Sequence, residues 1–448
     1  MRIKLISPRM SLRPMDSTLK RLMSPPLSLV TLASLTPESH KVIIEDENLK
    51  EIYYNDKPDL VGINVNVDTS KRAFEISKKY REQGIKVVFG GIHASVNPHH
   101  MLEHCDSVII GDAEEMWGRL ITDFQNNKLK PLYQNCVPPD LAKIPIPKWN
   151  MINKSEYLYH NIVVTSRGCP FKCDFCYNSS FHIKNPYRNR PIENVINEIK
   201  SLDTKQIMFI DDNFIGNISW TKKFIEKTKP LKLIWHAAVS TNLIQHKELI
   251  NDFANSGCRS LFIGFESINH ESIKSVNKKQ NRIEEYEELI EILHDYGIMV
   301  NASLVFGFDH DRPDIFQNTL NWLIKNKVET MTAHILTPYP GTRLFEKLKT
   351  EGRIFEYDTR KYNTANVVFY PKNMTGAELK NGYLWIYRQF YSFKNIIKRR
   401  PKNKSIQRPY FLFNFGYRKY GRITSCIGKL GFMHKIGELG RKLAYGID

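Results

Sequence analysis

The strongest constraint on this chain is a pattern that occurs twice. Short apolar runs rich in β-branched residues alternate with segments of helical spacing, once over residues 1–135 and again over residues 161–350. The first series has runs at Ile3–Ile6, Val42–Glu45, Leu60–Val65, Val87–Phe89 and Ser107–Ile110, with helical segments at Pro26–Leu35, Ser70–Gln83 and Ala113–Asn126. Continuous apolar runs belong to strands buried on both faces, as in parallel sheets covered by crossover helices. An α/β, doubly wound (Rossmann-like) domain is therefore expected for residues 1–135, with ligands beyond the carboxyl ends of its strands. Those ends carry Asn64, the pair Gly90-Gly91 with His93 beside it, and Gly111.

Residues 136–160 read as a linker, because CVPPDLAKIPIPKW is proline-rich and proline removes donors and favours extended neighbours. The second series follows, with apolar runs at Ile162–Thr165, Ile207–Ile210, Leu233–Ala237, Ser260–Phe265, Val300–Phe306 and His334–Thr337. Six βα units fit a partial (β/α)6 barrel, since the eight-unit barrel takes about 250 residues. Residues 351–448 are expected to form a small helical and irregular C-terminal region.

Composition is that of an ordinary globular chain, at 42% apolar, 25% charged and 11% aromatic residues, which argues against disorder or a coiled coil. No run reaches the ~18 to 20 apolar residues of a membrane span, and MRIKLISPRMSLRPM lacks a signal-peptide core, so a cytoplasmic protein is expected. The net charge of +18 is lopsided: from Lys394 onward, fourteen basic residues face only Glu438 and Asp448. This basic tail, interleaved with aromatics, leaves open peripheral contact with an anionic membrane, a phosphorylated substrate, RNA, or a solvated face docked on the barrel. Without a recognisable RNA-binding module, nucleic acid is not the expected partner.

Three of the seven cysteines fall within eight residues, at Cys169, Cys173 and Cys176, directly after the first strand of the second series. Thiolates at such spacing can wrap one metal centre from a single loop. Structural zinc wants four protein ligands, and His182 is the nearest candidate to complete such a site; an iron-sulfur cluster with one open iron needs no fourth side chain. On residue chemistry alone both readings stand, beside that of unrelated buried thiols.

The motif C-x3-C-x2-C with Phe175 before its last cysteine resembles the radical S-adenosylmethionine (radical SAM) superfamily. VVTSRGCPFKCDFC, FIDDNFIGN, FIGFESIN, FGFDHD and LTPYPGTRLF occur in the order familiar from members with a cobalamin-binding domain in front. With VVFGGIHAS and IIGDAEEMW, the resemblance covers roughly residues 1 to 395. It implies a [4Fe-4S] cluster on Cys169, Cys173 and Cys176, SAM chelated at the open iron, and a 5′-deoxyadenosyl radical that abstracts hydrogen from substrate. An external one-electron donor of flavodoxin or ferredoxin type is implied as well.

The resemblance further implies SAM contacts from Phe175 near the adenine, from Asp211 and Asp212 to the ammonium, and from Glu266 and Ser267 at the fourth strand end. Ser240, Ser303 and Gly307 are further candidates. A carboxylate buried in FIGFES must have a partner. Cobalamin contacts are expected from Asn64, Gly90, Gly91, His93 and Gly111. The Asp-x-His-x-x-Gly motif of histidine-ligating cobalamin domains is absent, its loop reading Ser7-Pro8-Arg9-Met10-Ser11, and their Ser-x-Leu is replaced by Asn64-Val65-Asn66. Cobalamin is thus expected without a histidine from that loop. The implied activity is methyl transfer to an unactivated carbon or phosphorus centre of a small or lipid-like substrate, with rearrangement, cyclisation, coupling or oxidoreduction as the alternative.

Overall fold

The computed structural model describes residues 1–180, 183, 185–202, 204–419, 423, 426 and 433–445. The first sheet holds β1 (Arg2–Ser7), β2 (Lys41–Asp46), β3 (Leu60–Asn64), β4 (Lys86–Gly90), β5 (Ser107–Ile110) and β6 (Leu132–Gln134), all parallel, in the order β2-β1-β3-β4-β5-β6. Alternate side chains serve two cores. Ile3, Leu5, Leu60, Val88 and Ile109 pack against Leu29, Trp117 and Leu120, whereas Ile6, Val61, Ile63 and Phe89 pack against Ala73, Ile76 and Tyr80. The sequence pattern missed β6, because a strand of three residues with only Tyr133 buried has no apolar run to betray it.

The second sheet contains β7 (Ile162–Val163), and after a short antiparallel hairpin of β8 (Ser166–Arg167) and β9 (Arg188–Asn189) it continues through β10 (Gln206–Phe209), β11 (Ile234–Val239), β12 (Cys258–Glu266), β13 (Met299–Phe306) and β14 (Thr330–Ile335). Its six strands are parallel and in chain order, so β7 and β14 are its two edges. Trp235, Leu261, Ile263, Val300 and Leu304 join the helices in the main core. The opposite face holds His236, Phe262, Asn301, Ser303, Thr332 and His334, which neighbouring strands bring into register. This polar alternation explains why the last strand begins at Thr330 rather than at the expected His334: Thr330, Thr332 and His334 interrupt the apolar run.

The exposed edge of β14 is capped rather than left open. Tyr391 accepts a hydrogen bond from Met331 N at 3.1 Å and donates to Met331 O at 2.7 Å, and Tyr387 does the same at Ala333, at 2.9 and 3.1 Å. Tyr387 lies on the helix Gly376–Phe390, whose start is fixed by a reciprocal Thr375–Glu378 capping box. Much of the basic tail between residues 420 and 432 lies outside the described residues. The helix Met433–Tyr445 sits against the chain before β7, with Arg441 donating to Leu158 O at 3.4 Å and the Tyr445 ring 5.8 Å from that of His236. Among the described residues, no helix is long and apolar enough to cross a membrane.

Candidate active site

The cysteine loop is held at its entry. Gly168 precedes it with φ 76°, and a Cβ there would lie 2.7 Å from Asn185 O, so the loop's entry requires glycine. On the strand side, Asp211 accepts from Thr165 N at 3.0 Å and Thr165 Oγ1 at 2.9 Å, and from the Ser166 hydroxyl. Burial pushes the Asp211 carboxyl up to about 6 against the pull of those donors. Its oxygens are thus spent on orienting the strand that delivers the cysteines, and the expected contact with a SAM ammonium does not fit this environment.

Cys173 is buried, while Cys169 and Cys176 are half-buried. Burial raises the thiols of Cys169 to about 11 and Cys176 to about 12. A metal would reverse this tendency, because it ligates the thiolate. Beside them stand two residues the sequence pattern did not single out. Gln280 directs Nε2 to Cys173 Sγ at 3.6 Å, and Lys278 places its ammonium 5.9 Å from the centre of the Phe175 ring. Lys278 is also the partner that Glu266 needed, at 2.6 Å, with both side chains only 9% exposed. The remaining cysteines, Cys105, Cys136, Cys258 and Cys426, lie elsewhere in the chain, and His182 falls outside the described residues.

Between the two sheets lies a cavity of about 830 Å³. One wall consists of the carboxyl ends of β3, β4 and β5, including Asn64, Gly90, Gly91 and Gly111. The other consists of Phe175, Cys176, Tyr177, Asn178, Asp212 and Tyr339. At Gly90 and Gly111 an added Cβ would meet nothing within 4 Å, so backbone opens directly on the void. Gly91 has φ 99°, and a side chain there would strike Asn64 Oδ1 at 2.3 Å. This shape suits a large planar ligand on the first sheet. Two ion pairs clamp the walls together: Arg188 to Asp112 at 2.8 Å and Arg167 to Glu114 at 2.9 Å, both from the β8–β9 hairpin. Arg188 is therefore an interdomain bridge. Cys136 also lines the cavity, from the segment read as linker.

The other expected site residues divide by environment. Asp212 faces the cavity, its carboxyl raised by burial despite Asn178 and Arg167. Ser240 at the end of β11 accepts from Asn213 at 3.1 Å and donates to Asn242. Ser267 and Ser303 are buried, and Ser267 Oγ accepts from Asn269 N at 3.1 Å. Gly307 turns away: its N–H donates to Asp311 at 2.9 Å and Leu379 packs over it, so it serves a turn. His93 also turns away. It is buried on the helix Ile92–Val96, is not among the residues lining the cavity, and burial lowers its pKa to about 4. Among the described lining residues there is no histidine.

A model of the radical SAM superfamily matches residues 163–323, and one described as a domain of unknown function (DUF4070) matches residues 342–410. The bacteriochlorophyllide d C-12(1)-methyltransferase of Chlorobaculum tepidum is 31% identical over 392 residues, covering 84% of each chain. The bacteriochlorophyllide d C-8(2)-methyltransferase of the same organism is 28% identical over 391 residues, covering 83% of this chain and 87% of that one. With these matches on the cysteine loop and its barrel, the chain belongs to the radical SAM superfamily and is a radical SAM enzyme. Its fold is also that of the radical SAM methyltransferase TsrM from Kitasatospora setae, solved with cobalamin and a [4Fe-4S] cluster bound: TM-score 0.67 at 17% identity, covering 98% of this chain and 99% of that one.

Proposed function

We propose that this radical SAM enzyme is a cobalamin-dependent methyltransferase acting on an unactivated carbon or phosphorus centre of a small or lipid-like substrate. The observation that carries the reading is the single cavity whose walls are the glycine-rich ends of the first sheet and the cysteine loop of the second. Two methyltransferases among its relatives support it. Cys169, Cys173 and Cys176 would hold the cluster, and Asn64, Gly90, Gly91 and Gly111 would cradle the corrinoid. When bound, the cluster supplies the electron that cleaves SAM and the corrinoid supplies a methyl carrier.

The chain's own residues position and shield. Phe175 offers an apolar face beside the cysteines, and Asp212 presents a carboxylate to the cavity for an ammonium of SAM. Glu266, held by Lys278, stands at the end of β12 with Ser267, as Ser240 and Ser303 stand on the neighbouring strands. The clamps Arg188–Asp112 and Arg167–Glu114 hold the two walls face to face and so limit water between them. An external one-electron donor and a cytoplasmic setting belong to this reading, because the open cluster needs a reductant.

The test is anaerobic reconstitution with iron, sulfide and hydroxocobalamin, followed by assay with SAM carrying a deuterated methyl group. Retained corrinoid, 5′-deoxyadenosine and labelled product are expected. SAM cleavage without retained corrinoid would overturn methyl transfer in favour of chemistry without it.

A further inference from the structure

The segment that leads into β5 runs at the amino end of the first sheet, opposite the carboxyl ends that line the cavity. It is the short helix Pro98–Leu102 followed by tight turns, in which Glu103 N donates to His100 O at 3.3 Å and His104 N to Met101 O at 2.9 Å. Met101 and Cys105 are buried and anchor it, which leaves His100, Glu103 and His104 together on the outer face. Residues three and four apart in such turns are neighbours. Their ligand atoms, one from each side chain, all lie within 4.8 Å of one another.

The three side chains are positioned yet keep donor atoms free. Phe74, on the helix Ser70–Arg81, stacks on the His104 ring at 3.8 Å and 16° and meets the His100 ring edge-on at 5.9 Å. The two imidazoles stand at 89° to each other with centres 5.3 Å apart. Among the described residues neither ring nitrogen of His104 has a hydrogen-bond partner, and the Glu103 carboxylate has only His100, with Oε2 3.4 Å from Nδ1. The nearby cations are satisfied elsewhere, since Asp106 pairs with Lys86 at 2.9 Å and with Arg81 at 3.6 Å. Glu103 and His104 also line a surface cleft of about 750 Å³, which gives an ion a way in.

Two imidazoles four residues apart with a carboxylate between them form a nitrogen-rich donor set, which suits zinc rather than the oxygen-seeking magnesium or calcium. Zinc bonds of about 2.0 to 2.1 Å set tetrahedral donors roughly 3.3 Å apart, close to the 3.4 Å already present between His100 and Glu103. We propose that His100, Glu103 and His104 form a zinc site on the outer face of the first domain, with the fourth position left to water. The site is separate from the three cysteines and from the cavity, and the bound ion would close the turn that enters β5.

The test uses the full chain with its iron-sulfur cluster reconstituted, and zinc alone or magnesium alone as the probe. Modification by diethyl pyrocarbonate, read by fragment mass spectra, should slow at least about fivefold at His100 and His104 with zinc in about tenfold excess. It should stay unchanged at the neighbouring exposed His99, which is not in the group. Magnesium should protect none of the three. In competition with a chromophoric chelator, His100→Ala should weaken zinc binding at least about tenfold, Glu103→Gln at least about threefold and His99→Ala less than about twofold. Because the footprint is read residue by residue, zinc taken up by any cysteine does not affect it. Failure of zinc to protect both histidines, equal protection by magnesium, or H100A binding zinc as tightly as the unaltered chain overturns the proposal, and the footprint decides if H100A does not fold.

Discussion

The two walls of the interdomain cavity are built on opposite plans. The first-sheet wall exposes backbone at its strand ends: Gly90 and Gly111 open on space, and Gly91 is forced by the nearness of Asn64. Behind the barrel wall lies a packed polar network, in which Asp211 holds Thr165 and Ser166, Lys278 holds Glu266, and Gln280 reaches Cys173. A wall of backbone sets shape and accepts a flat ligand by fit, whereas a wall of partnered side chains fixes a few donor atoms in place. Substitutions should therefore separate: at Gly90 on the first wall they should alter binding without harming the fold, and in the network behind the second they should harm both.

The largest effect belongs to the barrel wall. Cys173→Ala should drop iron from about four per chain toward zero and lower SAM cleavage by about a thousandfold or more, measured by iron analysis and 5′-deoxyadenosine formation. Lys278→Met comes next. It leaves Glu266 buried and unpaired, and should cost about 3 to 5 kcal/mol in denaturant unfolding, with part of the loss recovered when Glu266→Gln is added.

Asp211 gives a signed pH effect. Its carboxyl is held at about 6 in the folded chain against 3.8 when unfolded, so the folded state binds the proton more tightly. That contribution is fully present below about pH 4 and is lost as the pH rises through about 6. Urea unfolding across this window should show a decline of up to ~3 kcal/mol that Asp211→Asn lacks.

On the first wall, Gly90→Leu should change unfolding free energy by less than about 1 kcal/mol, because the space is open, while reducing corrinoid retention about tenfold or more. The smallest effect is expected at His93→Gln, which should leave the spectrum of bound corrinoid unchanged, since His93 does not line the cavity.

Both sheets were legible from the periodicity of buried strands, and the cysteine loop from its spacing. The need of Glu266 for a partner was legible too, because a carboxylate in an apolar strand cannot stay alone. Which residue answers it was not: Lys278 and Lys279 are adjacent, and only the fold decides that Lys278 points inward. Asp211 was recognised as an acceptor, but its donors lie 45 and 46 residues away, a distance that no local pattern spans.

The most direct test of two cofactors sharing one cavity is the count of iron and corrinoid retained by the same anaerobically reconstituted chain and by Gly90→Leu. The account predicts about four iron and one corrinoid per unaltered chain, with the corrinoid alone lost in the variant. A chain that keeps its iron and cleaves SAM but retains no corrinoid, or a variant that loses neither, would contradict it.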